Sequence, residues 1–125
     1  MKKLLFLLFF ILCFNYKNSE ALDCIEGSYA QSHMTICANE RLEEEKKKLD
    51  IVYKAYIKFL DKEDYSMNWK KQFVETHVAW IKYKDLYCQC EGGTICGLEW
   101  ASCQATKTKE RLKEIEEDFG YEKSL

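Results

Sequence analysis

The chain contains no proline and only five glycines in 125 residues. Proline breaks helix interiors and glycine weakens them, so long helices run here without interruption. Histidine is nearly missing as well, with only His33 and His77. Neither stands in a His-Glu-x-x-His arrangement, and no Gly-x-Ser-x-Gly or phosphate-loop pattern occurs, so the common hydrolase and nucleotide motifs are excluded. There is no excess of positive charge: 19 basic residues face 21 acidic ones. A nucleic-acid binder usually carries a basic face, so that class is disfavoured. No apolar run exceeds the eleven residues from Leu4 to Phe14. That is too short to span a bilayer comfortably.

The short apolar run has the form of an export signal. Lys2 and Lys3 precede it, and Ser19-Glu20-Ala21 places small residues where a signal peptidase reads. We expect residues 1–21 to be a signal peptide cleaved after Ala21, and residues 22–125 to form a single domain with no membrane span. A retained anchor and a lipoprotein are the alternatives. Neither Cys13 nor Cys24 is preceded by the small residues usual before a lipidated cysteine. Loss of Lys2, Lys3, Lys17 and Glu20 with the leader leaves 16 basic and 20 acidic residues, a net charge of −4.

Six cysteines follow the leader: Cys24, Cys37, Cys88, Cys90, Cys96 and Cys103. An even set downstream of an export signal reads as a disulfide framework. Zinc sites show paired Cys-x-x-Cys or Cys/His spacing, which is missing here, so no metal or other cofactor is expected. Of the fifteen possible pairings, we favour Cys24–Cys37, Cys88–Cys103 and Cys90–Cys96. The rival is Cys37–Cys88, since an antiparallel helix pair brings those ends together.

The remaining pattern is helical. Ser28 and Gln31 have capping-box spacing, which predicts a short helix to about Cys37. Asn39 then reads as the N-cap of a longer helix ending near Lys62. Leu42, Leu49, Val52, Tyr53, Tyr56, Phe59 and Leu60 recur on it at three and four. Ser66 reads as the cap of a second helix to Tyr87, with Trp69, Phe73, His77, Trp80 and Tyr87 in one stripe widened by Val74, Val78 and Ile81. A third carries Leu98, Ala101, Ala105, Thr108, Leu112, Ile115 and Phe119 and stops near Gly120, before a frayed tail. The expected fold is all-α: a small disulfide-stapled bundle of about three helices, an antiparallel hairpin plus a C-terminal helix. Tyr56, Phe73, Trp80, Leu112 and Ile115 are placed in its core. His77, on an apolar stripe, reads as a satisfied core or boundary residue. One of Trp69 and Trp100 is expected to be exposed. Glu43 to Glu45 and Glu114 to Asp118 read as solvated faces rather than a catalytic pair.

Several segments together resemble one family. Ile36-Cys37-Ala38-Asn39 follows Cys24 at thirteen residues. Then come His77-x-x-Trp80-Ile81-Lys82-Tyr83-Lys84-Asp85-x-x-Cys88, Gly92-Gly93-Thr94, Cys103 and Thr108-x-x-Arg111-Leu112. This order resembles the bacterial lysozyme-inhibitor LprI-like family of exported, helical, four-cysteine domains. His77 stands where that family usually has glutamine, Lys84 where it has arginine, and Cys90 and Cys96 are additional. The resemblance implies a periplasmic or secreted binding protein, with a basic lysozyme as protein partner and no enzyme activity. An envelope interaction module with another partner is the alternative, and a cell-envelope enzyme ranks last. Glu91 and Thr94, in the loop bracketed by Cys90 and Cys96, are the candidate partner-binding residues; a mere tight turn is the competing reading.

Overall fold

A computed structural model describes residues 24–25, 27–62 and 67–123, Met67 and the last three by backbone only. The expected signal peptide with its cleavage point, Cys13 and the expected Ser66 cap lie outside the described residues. Three helices follow one another: α1 Gln31–Lys62, α2 Met67–Tyr87 and α3 Cys96–Lys123. Among the described residues there is no strand. No helix there is long and apolar enough to cross a membrane.

The first helix is continuous where two were expected. Asn39 does not cap a helix start; it lies inside α1, its side-chain amide donating to the Thr35 carbonyl at 2.8 Å. The true first turn begins at Ala30, whose carbonyl accepts from the Met34 amide at 3.0 Å. Ser28 stays close by. Its hydroxyl accepts from the Ala30 amide at 3.3 Å and lies 2.9 Å from His33 Nδ1. Nothing between Cys37 and Glu40 breaks a helix, so the turn at Ala30 simply propagates. At the other end, α3 runs through Gly120 to Lys123. Gly120 does not take the left-handed conformation that would end it.

The closest backbone approach is between α1 and α3 rather than along the α1–α2 hairpin. Ala38 and Leu42 meet Ala101 and Ala105 near the start of both helices. Leu49, Tyr56 and Leu60 meet Leu112 and Ile115 farther along. The pair therefore runs parallel, and alanines at the crossing let the axes come close. Antiparallel to both, α2 attaches by side chains: Phe73 lies edge-on to Tyr56 at 4.7 Å, and His77 stacks on Tyr53 at 4.3 Å.

Three core expectations hold: Tyr56, Leu112 and Ile115 are buried. Phe73 and Trp80 pack against the core but are only half-buried. The stripe's widening residues Val78 and Ile81 are exposed, as is Tyr87. A helix that touches its neighbours along one edge cannot bury a broad stripe. Both Trp69 and Trp100 are exposed, at 47% and 39%.

Candidate partner-binding surface

The bridges are Cys24–Cys37, Cys88–Cys103 and Cys90–Cys96, with Cα–Cα distances of 4.6, 5.6 and 5.8 Å. The rival Cys37–Cys88 pairing does not form. All three gather at one pole, where α1 and α3 begin and α2 ends.

The connection from Cys88 to Cys96 is shaped by its glycines. Gly92 and Gly93 have φ of 107° and 112°, a region that disfavours any side chain. The chain reverses there within the Cys90–Cys96 ring. Glu91, Gly92, Gly93, Thr94 and Ile95 are all exposed. The Gln31 side-chain amide donates to the Thr94 carbonyl, tying the loop to the first turn of α1. A side chain at Gly97 would place its Cβ 3.6 Å from Thr35 Cγ2. The backbone is thus held while the Glu91 carboxylate has no ion pair among the described residues. Trp100 follows Cys96 by four residues and precedes Cys103 by three, so it shares the helix face that carries both bridges. The sequence does not single it out from Trp69. Its spacing from the two cysteines was the signal that places it beside the loop.

Of the family-motif residues, Gly92 and Gly93 lie in this loop; the others lie elsewhere, between α2 and α3. His77 is sandwiched by Tyr53 and by Trp80, whose ring centroid is 5.4 Å away. Its Nδ1 is buried without a hydrogen-bond partner, so it is not the satisfied histidine expected. Burial, and then the nearby Arg111 and Lys84 charges, hold its pKa below the ordinary value. Lys84 is buried, its Nζ 5.4 Å from the Trp80 ring centroid and 3.5 Å from Asp85 Oδ1. The same oxygen accepts from Gln104 Nε2 at 3.2 Å. Thr108, also buried, donates to the Gln104 carbonyl at 2.7 Å. Arg111 bonds Glu114 at 2.9 Å and lies 6.0 Å from the Phe73 ring centroid. The structure brings His77, Trp80, Lys84, Asp85 and Arg111 to one seam, where they fasten α2 to α3. Gln104 was missed as polar, although it falls on the face of Ala101 and Thr108.

The acidic stretch of α1 offers less than its composition promises. Glu43 pairs with Lys46 at 2.9 Å and Glu44 with Lys48 at 2.7 Å. Those lysines, by hydrogen bond and then by charge, hold both carboxyls below the usual range. Glu45 is buried rather than solvated, its head 3.3 Å from Lys48. Glu43 and Glu44 stay exposed as expected, each already paired with a lysine.

Residues 24–115 match the family model described as Lysozyme inhibitor LprI. No curated protein and no solved structure matches the chain.

Proposed function

The chain belongs to the LprI lysozyme-inhibitor family, and from that premise we propose that it is an exported bacterial protein that inhibits a host lysozyme by direct contact. Residues 1–21 are removed, and residues 22–125 act in the periplasm or outside the cell. The observation that carries the reading is the exposed loop Glu91–Ile95, ringed by Cys90–Cys96 and anchored on Gln31.

A ring of this kind has little ordering entropy left to lose on binding. Its glycines let the backbone approach a partner closely. Glu91 meets a cationic group at the rim of the partner's cleft, and Thr94 supplies a hydroxyl. Trp100 beside them serves as the aromatic anchor that protein interfaces favour. A net charge of −4 suits a basic lysozyme and speeds encounter.

The test is lysozyme activity titrated with the oxidised mature protein. We expect inhibition, weakened at least about tenfold, roughly 1.4 kcal/mol, in Glu91→Lys/Thr94→Ala and in Trp100→Ala with helicity unchanged. A wild-type protein that binds an envelope component but leaves every lysozyme active supports the interaction-module reading instead. N-terminal sequencing of the exported protein checks the cleavage, expected to expose Leu22.

A further inference from the structure

The opposite pole, where α1 and α3 end and α2 begins, holds a separate cleft of about 230 Å³. Its lining comes from all three helices. Tyr56 stands on α1, Arg111 and Asp118 on α3, and Trp69, Gln72, Phe73 and Thr76 on α2. The α2 residues fall at i, i+3, i+4 and i+7, a single helical face. Arg111 and Asp118 are two turns apart on α3 and share a face as well.

Three features of this lining point to one ligand chemistry. Its walls are aromatic, and Trp69 keeps 47% of its surface open although it flanks the half-buried Phe73. Two polar side chains there have no partner among the described residues: Asp118 makes no ion pair and the Gln72 side-chain amide makes no hydrogen bond. Arg111 bonds Glu114 through its guanidinium, and its buried Nε is unpaired. An anionic ligand meets Asp118, and a cationic one meets the guanidinium of Arg111, which Glu114 already pairs. A neutral ligand with hydroxyls satisfies Asp118 and Gln72: it donates to Asp118 and to the Gln72 carbonyl oxygen and accepts from the Gln72 amide. Its apolar face lies on the indole of Trp69. The volume is below the roughly 300–1,000 Å³ of clefts that engulf drug-sized molecules, so it suits a single ring.

We propose that this cleft binds one neutral pyranose unit of a glycan. The site is independent of the lysozyme reading, because it lies at the far end of the bundle from the Glu91–Ile95 loop.

The experiment is a titration of the ¹⁵N-labelled oxidised protein with glucose, N-acetylglucosamine, glucosamine and glucuronate. The Trp69 indole N–H and Gln72 side-chain amide signals are followed. A neutral sugar is expected to shift both signals saturably, with one dissociation constant in the millimolar range. Trp69→Ala and Asp118→Asn, both at exposed positions, are expected to weaken binding at least about tenfold. Ile51→Ala, on the outer face of α1, leaves it unchanged. Absence of a saturable shift with all four sugars overturns the proposal. So does binding that survives Trp69→Ala, or a preference for either charged sugar. Glu91→Lys/Thr94→Ala retains sugar binding if the two sites are separate; loss there overturns that independence.

Discussion

At the scale of single residues, His77 joins the core to the charge network. Tyr53 of α1 covers one side of its ring, Arg111 of α3 and Lys84 of its own helix bring positive charge, and burial removes water. Its folded pKa is lowered, so the unfolded chain takes up a proton first as pH falls. The stability it contributes is complete above the ordinary histidine value of 6.5. It is lost progressively between that value and the lower folded one. Glutamine at this position removes the titration. We therefore predict that the wild-type urea midpoint falls between about pH 7.5 and 5, and that His77→Gln flattens much of that slope. Equal slopes would show that other groups govern the window. Trp80 is the second test. Full burial of tryptophan predicts a loss of about 3–5 kcal/mol on truncation to alanine. Its half-buried position lowers that to about 2 kcal/mol, read as a shift in denaturation midpoint. The motif residues were legible in order and spacing, because they recur at helical intervals. Their shared seam was not, since spacing along α2 says nothing about which partner helix meets that face.

At the scale of elements, the helices were legible and their pairing was not. The missing prolines and the repeat of apolar residues at three and four marked α1, α2 and α3 to within a few residues, apart from the false break at Asn39. Asparagine is a good N-cap only where the preceding chain is non-helical, and here Thr35 satisfies it from within the helix. The short α1–α2 connection argued for a hairpin as the main contact. The closest pair is instead α1 with α3, because Ala38, Ala101 and Ala105 carry too little side chain to hold the axes apart. Alanine reads as a weak hydrophobe in sequence and as a close-packing residue only once its partner is known. Ala101 is fully buried in that seam. Ala101→Leu should overpack it and cost about 1–3 kcal/mol by chemical denaturation. An unchanged midpoint would mean that the crossing has room to spare. The reversal after Cys88 was legible, since Gly-Gly between cysteines announces one; the start of α3 already at Cys96 and the tie from Gln31 to Thr94 were not. Replacing Cys90 and Cys96 with serine opens a six-residue separation. Chain entropy puts that loss at about 2 kcal/mol. Inhibition should fall by more than this loss of fold stability explains, because the freed loop must be ordered again on binding.

At the scale of the whole molecule, the two poles are built differently. One carries all three disulfides and the exposed Glu91–Ile95 loop. The other carries Trp69, Phe73, Phe119 and the cleft beside Asp118, with no covalent staple among the described residues. A rigid pole suits contact with a folded partner, since ordering cost sets affinity as much as area does. Charge acts over the molecule as a whole and should appear in rates rather than in the bound contacts. If cleavage after Ala21 leaves the net charge of −4, the proposed encounter with a basic lysozyme should be steered at low ionic strength. The screening length shrinks from about 30 Å at 0.01 M salt to about 3 Å at 1 M. The association rate should therefore fall by about tenfold or more across that range. The dissociation rate, set by the loop and Trp100 in close contact, should change far less. Surface-plasmon kinetics with the oxidised mature protein separate the two constants. Glu91→Lys should slow association at low salt and converge toward wild type as salt rises, apart from its direct contact. An association rate indifferent to salt would show that charge does not steer this encounter, and the acidity of the chain would then need another explanation.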